Sequence, residues 1–325
     1  MKRIVSVALA IIMVMGLTAC GGSNKKDDGK ISIVTTIFPE YDWVKEVVGE
    51  NNDSVEITML LDNGVDLHSY QPTAEDIMKV TSCDVFIYVG GESDGWVEDA
   101  LKESVNKDMK VINLMDALKG QVKEEEIVEG MQGEEEEAEE GEEEEGPEYD
   151  EHVWLSLKNT KILVQKISDT LGQVDTKHAE NYQKNAENYI GKLEDLDVQY
   201  KDAVDQSEKK TVLFADRFPF RYLVDDYGIS YYAAFVGCSA ETEASFETVV
   251  FLAKKTDELN LGTVLTIEGS DQKIAKTVVE NTKSKKQSIQ SMNSMQGITS
   301  EDVKKGVTYL KVMEENLKVL EQALK

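Results

Sequence analysis

The chain has 325 residues, 63 acidic against 35 basic side chains, three histidines and a formal net charge of −28. This excess of negative charge disfavours nucleic-acid binding, which draws on a basic face. The charge is uneven: from Glu124 to Glu151 there are 17 acidic residues and no basic one, which leaves −11 for the rest of the chain.

At the N-terminus Lys2 and Arg3 precede an apolar run from Ile4 to Gly16, of secretory-leader length and too short to span a bilayer. Leu17-Thr18-Ala19-Cys20 then reads as the lipobox of a bacterial lipoprotein, with residues 1–20 removed up to a lipidated Cys20. Residues 21–30, small and polar, read as a flexible tether that leaves the remainder on the extracytoplasmic face of the cell membrane.

Beyond the tether, β-branched and apolar runs alternate with segments of helical spacing. Ile31–Thr36, Val55–Leu61, Val85–Gly90 and Val111–Leu114 read as strands, with helices over Tyr41–Val48, Glu75–Val80 and Trp96–Ser104. The Glu124–Glu148 tract is nearly all Glu and Gly, repels itself and reads as a disordered loop. Helical spacing returns at Asn159–Leu171, and Lys177–Ala203 reads as one long amphipathic helix with Tyr182, Tyr189, Leu193, Leu196 and Tyr200 on one side. A second series follows: strands Thr211–Phe214, Tyr231–Val236 and Val264–Ile267, with helices over Phe218–Tyr227, Phe246–Leu259, Gln272–Thr282 and Ser300–Leu324.

This pattern gives an α/β protein of two pseudo-symmetric lobes with parallel sheets: an N-terminal lobe over 31–175, a linking helix over 176–206 and a C-terminal lobe over 207–325. In such paired lobes ligands bind beyond the C-terminal strand ends. Cys83 and Cys238 read as two separate small core residues, with their pairing left open.

Of the three histidines, His178 falls inside the long helix beside Lys177 and reads as a solvated position. His68 and His152 fall in loops at element edges, where binding residues concentrate, and neutral imidazole is a standard zinc ligand. No His-Glu-x-x-His helix, nucleophile elbow or phosphate-binding glycine loop is present, so a metal-dependent hydrolase is the weaker alternative.

Several segments, in order, carry a resemblance: Thr36-Ile37-Phe38-Pro39, His68-Ser69-Tyr70-Gln71-Pro72-Thr73, Asp84–Gly91, His152-Val153-Trp154-Leu155-Ser156, Phe220-Arg221-Tyr222-Leu223 and Ser294-Met295-Gln296. From Ile31 to the C-terminus the chain resembles the zinc- and manganese-type solute-binding proteins of bacterial ABC importers. The resemblance implies two lobes joined by a rigid helix, a metal ion held between them, and delivery to a permease driven by a cytoplasmic ATPase. It implies a lipid-anchored, non-enzymatic monomer carrying Zn²⁺, with Mn²⁺ or Fe²⁺ as alternatives.

The first two family ligands fall on His68 and His152. The third falls on Arg217, which has no lone pair to offer a metal, and the fourth on Asn293. Asp216 and Glu268 are therefore candidate ligands. Asp216 alternatively pairs with Arg217, Glu268 alternatively caps the following helix, and water alternatively completes the shell. Two altered ligands also admit a surface adhesin that has lost tight metal binding. The acidic tract reads either as a collector of divalent cations or as a solvating insertion.

Overall fold

The computed structural model describes residues 29–49, 53–132, 148–239 and 243–325. The lipobox with Cys20, and residues 133–147 of the acidic tract, lie outside these.

Two four-stranded sheets, all parallel, share one topology. In the first, β1 (Ile31–Thr35), β2 (Val55–Met59), β3 (Val85–Tyr88) and β4 (Lys110–Asn113) are ordered 2-1-3-4. In the second, β5 (Thr211–Phe218), β6 (Ser230–Val236), β7 (Thr263–Ile267) and β8 (Ser288–Met292) are ordered 6-5-7-8, the same crossover pattern repeated. The central strands are runs such as Val85-Phe86-Ile87 and Val264-Leu265, fully buried on both faces, as parallel sheets under helices demand. Strand β5 bulges between Phe214 and Arg217, which re-aims Asp216 and Arg217 at the strand's C-terminal end.

A 28-residue helix, Ala179–Gln206, runs between the lobes. Tyr182, Tyr189, Leu193, Leu196 and Tyr200 are buried along it, and polar ties fix it at both ends. Asn185 Nδ2 donates to the Val47 carbonyl of the first lobe at 3.0 Å, and Tyr200 Oη donates to Met313 O of the C-terminal helix at 2.6 Å. A helix gripped this way resists bending.

Helix Phe38–Val48 leaves β1 through a cap made by its own Glu40, whose Oε2 accepts from Thr36 N at 2.8 Å and Ile37 N at 3.2 Å. Asp42 on the same helix is 1 % exposed and accepts from Tyr309 N at 2.8 Å. Burial lifts its carboxyl to about 6. A carboxyl whose folded pKa exceeds its unfolded value near 3.8 holds its proton more tightly when folded, so folding stability rises as pH falls through about 6 and levels off below about 4. Asp42→Asn is therefore expected to stabilise the chain at pH 8 by up to about 3 kcal/mol, and to confer no advantage at pH 4. Urea unfolding at the two pH values checks this, and an equal effect at both would refute it.

The described part of the acidic tract, Glu124–Gln132 and Glu148, is tied down. Glu125 N donates to Glu148 O at 2.9 Å, Gln132 N donates to Ala234 O at the edge strand β6 at 2.9 Å, and Met131 is buried. The Glu126 carboxylate pairs with Arg221 at 3.2 Å and Glu129 with Lys255 at 3.2 Å. Local acidity predicted disorder, and basic partners on the second lobe override it over Glu124–Gln132.

Candidate metal centre

His68 and His152 come from different elements of the first lobe and converge. After β2, the N–H groups of Leu60 and Leu61 bond Thr35 O and Thr36 O, which carries the chain past the sheet edge to Asp66. Asp66 Oδ1 accepts from His68 N at 3.0 Å and starts the short 3₁₀ turn Leu67–Ser69, anchored by buried Leu67. His152 follows Asp150 just before the helix Leu157–Val174, whose N-cap is Ser156. Both histidines thus stand beyond the C-terminal ends of the first sheet, where the sequence places them.

The Nε2 atoms of the two rings are 3.2 Å apart. Two imidazoles on one tetrahedral zinc, each about 2.0–2.1 Å from the ion, hold their nitrogens about 3.3 Å apart. Each ring is held through its other nitrogen. Asp150 Oδ1 receives both His152 N at 2.8 Å and His152 Nδ1 at 3.0 Å. A proton on Nδ1 leaves the Nε2 lone pair pointing into the site, the carboxylate–histidine arrangement that orients metal ligands. His68 Nδ1 lies 2.8 Å from Ser93 Oγ, and Ser93 N donates in turn to Glu151 Oε1 at 2.9 Å.

Electrostatics sets the rings apart. Burial and the neighbouring His152 push His68 down to about 3, so it is a neutral donor at neutral pH. Burial also works against a charged His152, but the Asp150 carboxylate and its hydrogen bond outweigh it and raise that ring.

Two glycines make room. A Cβ on Gly237 would sit 3.0 Å from His152 Cε1, so the backbone of the second lobe comes close to this edge of the ring at a residue without a side chain. A Cβ on Gly91, whose φ is +81°, would overlap Glu151 Oε1 at 2.3 Å.

From the second lobe, Cys238 follows Gly237 at the end of β6. Its Sγ and one ring nitrogen each of His68 and His152 all lie within 4.8 Å of one another, the one such group of potential metal ligands among the described residues. Cys238 is therefore not a small core residue; it is half-buried at the site, and Cys83 is a free thiol in the core. Glu125 Oε1 accepts from Cys238 N at 3.3 Å, so the ordered start of the acidic tract steadies this loop. A cavity of about 250 Å³ opens beside the cluster, lined by His68, Cys238, Glu92, Glu125, Glu148 and Glu151.

The other candidates are placed elsewhere. Asp216 is turned back by the β5 bulge, its Oδ1 accepting from Arg217 N at 2.9 Å and its Oδ2 from Ile267 N at 3.4 Å. The alternative of a side-chain ion pair between Asp216 and Arg217 is not formed, since the guanidinium pairs with Asp66. Arg217 reaches across to Asp66 Oδ2 at 2.8 Å and donates to Ser239 O at 3.2 Å, so a guanidinium ties the second lobe to the His68 loop. Both Glu268 oxygens accept from Ser294, at 2.7 Å from its N–H and 2.6 Å from its hydroxyl. In this arrangement Glu268 braces the loop after β8. Asn293 is consumed by its own turn, Oδ1 accepting from Met295 N at 2.7 Å. Gln296, three residues on, faces the site instead, with Nε2 3.3 Å from His152 Nε2. His178 stands at the start of the long helix, Nδ1 2.6 Å from Asp175 Oδ2.

Cys238 and Gln296 were both missed from the sequence. The strand-end rule points at Cys238, and Gln296 lies inside a segment already singled out, but only the fold brings them to His152.

Two parallel-sheet lobes on a common helix, with paired imidazoles at the strand ends facing a thiol of the other lobe, give the architecture of a two-lobed solute-binding protein. The model of the zinc-uptake complex component A, the periplasmic ZnuA family, matches residues 33–323, and the chain belongs to that family. It is 32% identical over 324 residues to the zinc-binding lipoprotein AdcA of Streptococcus pneumoniae, covering 99% of this chain and 61% of that protein. The chain thus spans about three-fifths of the length of that relative. It is 30% identical over 313 residues to the high-affinity zinc uptake system protein ZnuA of Bacillus subtilis, covering 95% and 93%. The Zn(II)-bound ZnuA-like domain of the S. pneumoniae AdcA superposes with a TM-score of 0.71 at 29% identity, over 91% of this chain and 99% of that one.

Proposed function

We propose that this chain captures zinc outside the cytoplasmic membrane and passes it to an ABC permease powered by an ATPase, tethered as a monomer by lipid on Cys20. The observation that carries this is the pair of Nε2 atoms 3.2 Å apart, each oriented through its Nδ1 partner. The arrangement offers lone pairs at zinc spacing before any ion arrives. Nitrogen donors favour zinc over manganese, which prefers oxygen, and the relatives named for zinc support the same choice. Binding rather than catalysis fits the family's place in an uptake complex.

The carboxylates of Glu92, Glu125, Glu148 and Glu151 on the cavity wall raise the local concentration of divalent cations. Glu125 and Glu148 belong to the acidic tract, which favours its reading as a collector. The Arg217–Asp66 pair holds the second lobe against the His68 loop, and the gripped linking helix limits opening, so capture needs a small closure rather than a wide hinge.

The test is thermal unfolding of the metal-stripped chain titrated with Zn²⁺, Mn²⁺ and Fe²⁺. At a hundredfold excess over its dissociation constant zinc contributes ~2.7 kcal/mol, expected as a rise of roughly 4 °C that Mn²⁺ and Fe²⁺ do not match. The rise is expected to disappear in His68→Ala. Equal shifts with all three ions, or a zinc shift that survives the substitution, would overturn the proposal.

A further inference from the structure

The proposed capture site draws two nitrogens from the first lobe, and a zinc ion needs four donors. The second lobe presents no histidine there: Arg217 pairs with Asp66, Asp216 and Glu268 serve backbone and Ser294 hydrogen bonds, and Asn293 closes a turn. What it does present is the Cys238 sulfur, in one cluster with the ring nitrogens of His68 and His152. A second feature points into the same space. Gln296 is 5 % exposed and its Oε1 has no hydrogen-bond partner, while its Nε2 faces His152 Nε2 at 3.3 Å. Turning the amide over directs that buried oxygen at the ring nitrogens, so the site contains an unsatisfied donor group as well as a thiol.

We propose that Cys238 is the metal ligand contributed by the second lobe, which makes this a His₂Cys centre selective for thiophilic divalent ions. The inference rests on the reading of His68 and His152 as the capture pair. Zinc–nitrogen and zinc–sulfur bonds of about 2.0 and 2.3 Å put sulfur about 3.6 Å from each nitrogen, so the Cys238 loop moves by little more than about 1 Å. In the metal-free protein burial raises the thiol's pKa, with Asp150 and Glu125 adding to the effect. The thiol proton leaves to solvent as the metal–sulfur bond forms, and the thiolate then neutralises one of the ion's two charges. A soft sulfur donor favours zinc and cadmium and disfavours manganese. Because the sulfur belongs to the other lobe, its bond to the ion is also what draws the cleft shut.

Cobalt(II) replaces zinc and reports sulfur directly, through a thiolate-to-metal charge-transfer band in the near ultraviolet that imidazole and carboxylate ligands do not produce. The full chain carrying Cys20→Ser leaves Cys83 and Cys238 as its thiols. Titrated with Co²⁺ it is expected to show the band. Cys83→Ala is expected to retain it and Cys238→Ser to lose it, while the visible cobalt absorption persists in both. Zinc affinity is expected to fall at least about a hundredfold in Cys238→Ser, and manganese affinity to change little. Visible absorption without the near-ultraviolet band in the parent protein would overturn the thiolate ligand and leave the His68–His152 reading standing. Absence of any cobalt absorption, with no zinc binding, would overturn both.

Discussion

Replacing His152 with alanine is expected to abolish zinc stabilisation of the folded chain and to weaken zinc binding by at least about a hundredfold. His152 is fully buried, offers Nε2 to the site and is fixed by Asp150 through two contacts of 2.8 and 3.0 Å. Asp150 is itself held, because its carbonyl accepts from Tyr222 Oη of the second lobe at 2.7 Å and its N–H bonds Lys123 O at 2.9 Å. Asp150→Asn keeps the shape but presents an amide in place of the carboxylate. It removes the charge that fixes the Nδ1 proton, and zinc affinity is expected to fall ~10- to 100-fold, less than for His152→Ala. Gly237→Ala removes no ligand, yet its Cβ would sit 3.0 Å from His152 Cε1 and displace the ring. It is expected to weaken binding as Asp150→Asn does and, because the same Cβ would sit 3.0 Å from the Phe218 carbonyl oxygen, to lower the metal-free unfolding midpoint as well. Isothermal titration of zinc into the three variants checks the order. If Asp150→Asn and Gly237→Ala bind like the parent, the ring is not held by these groups and the account of its orientation fails.

The fold was legible where burial is complete and the site where a residue type is rare. Val85-Phe86-Ile87 and Thr263–Ile267 are strands because a short, fully buried run rich in β-branched and apolar residues between turn residues fits the centre of a parallel sheet. Strand β8, Ser288–Met292, escaped notice because it pairs on one side only: Met292 alone is fully buried, so its sequence carries no apolar signature. The C-terminal region was read as one helix, Ser300–Leu324. The chain breaks at Gly306, φ +89°, and a new helix opens at Tyr309 under the Thr308 cap, since Tyr309 must turn its N–H to Asp42. Three histidines in the chain made His68 and His152 conspicuous. The second lobe's donors were hidden because their roles depend on long-range placement. Arg217 is spoken for by Asp66, 151 positions away, and a lone cysteine resembles core until Gly237 carries it to an imidazole.

Substituting Trp154 with alanine is expected to destabilise the chain by about 3–5 kcal/mol, the range for emptying a buried aromatic site. Trp154 is fully buried two residues after His152, with the two ring centroids 5.1 Å apart. Its Nε1 donates to Ser294 O at 2.8 Å, which ties the histidine segment to the loop after β8. Its own carbonyl accepts from Tyr309 Oη at 2.7 Å, and Tyr309 in turn meets Trp43 edge-on at 5.4 Å and bonds Asp42 through its N–H. Trp154 thus joins the first lobe to the loop after β8 through its indole and to the C-terminal helix through its carbonyl. Trp154→Phe separates the two contributions. It retains most of the apolar contact but leaves the buried Ser294 carbonyl without its donor, a cost of about 1–3 kcal/mol. Urea unfolding of the metal-free proteins reads both losses as shifts in midpoint at unchanged slope. A Trp154→Ala loss below about 1 kcal/mol would mean the lobes are held elsewhere. Zinc affinity is expected to fall in Trp154→Phe as well, because the Ser294 loop also carries Gln296 toward His152. The same indole would then serve both the fold and the alignment of the metal site.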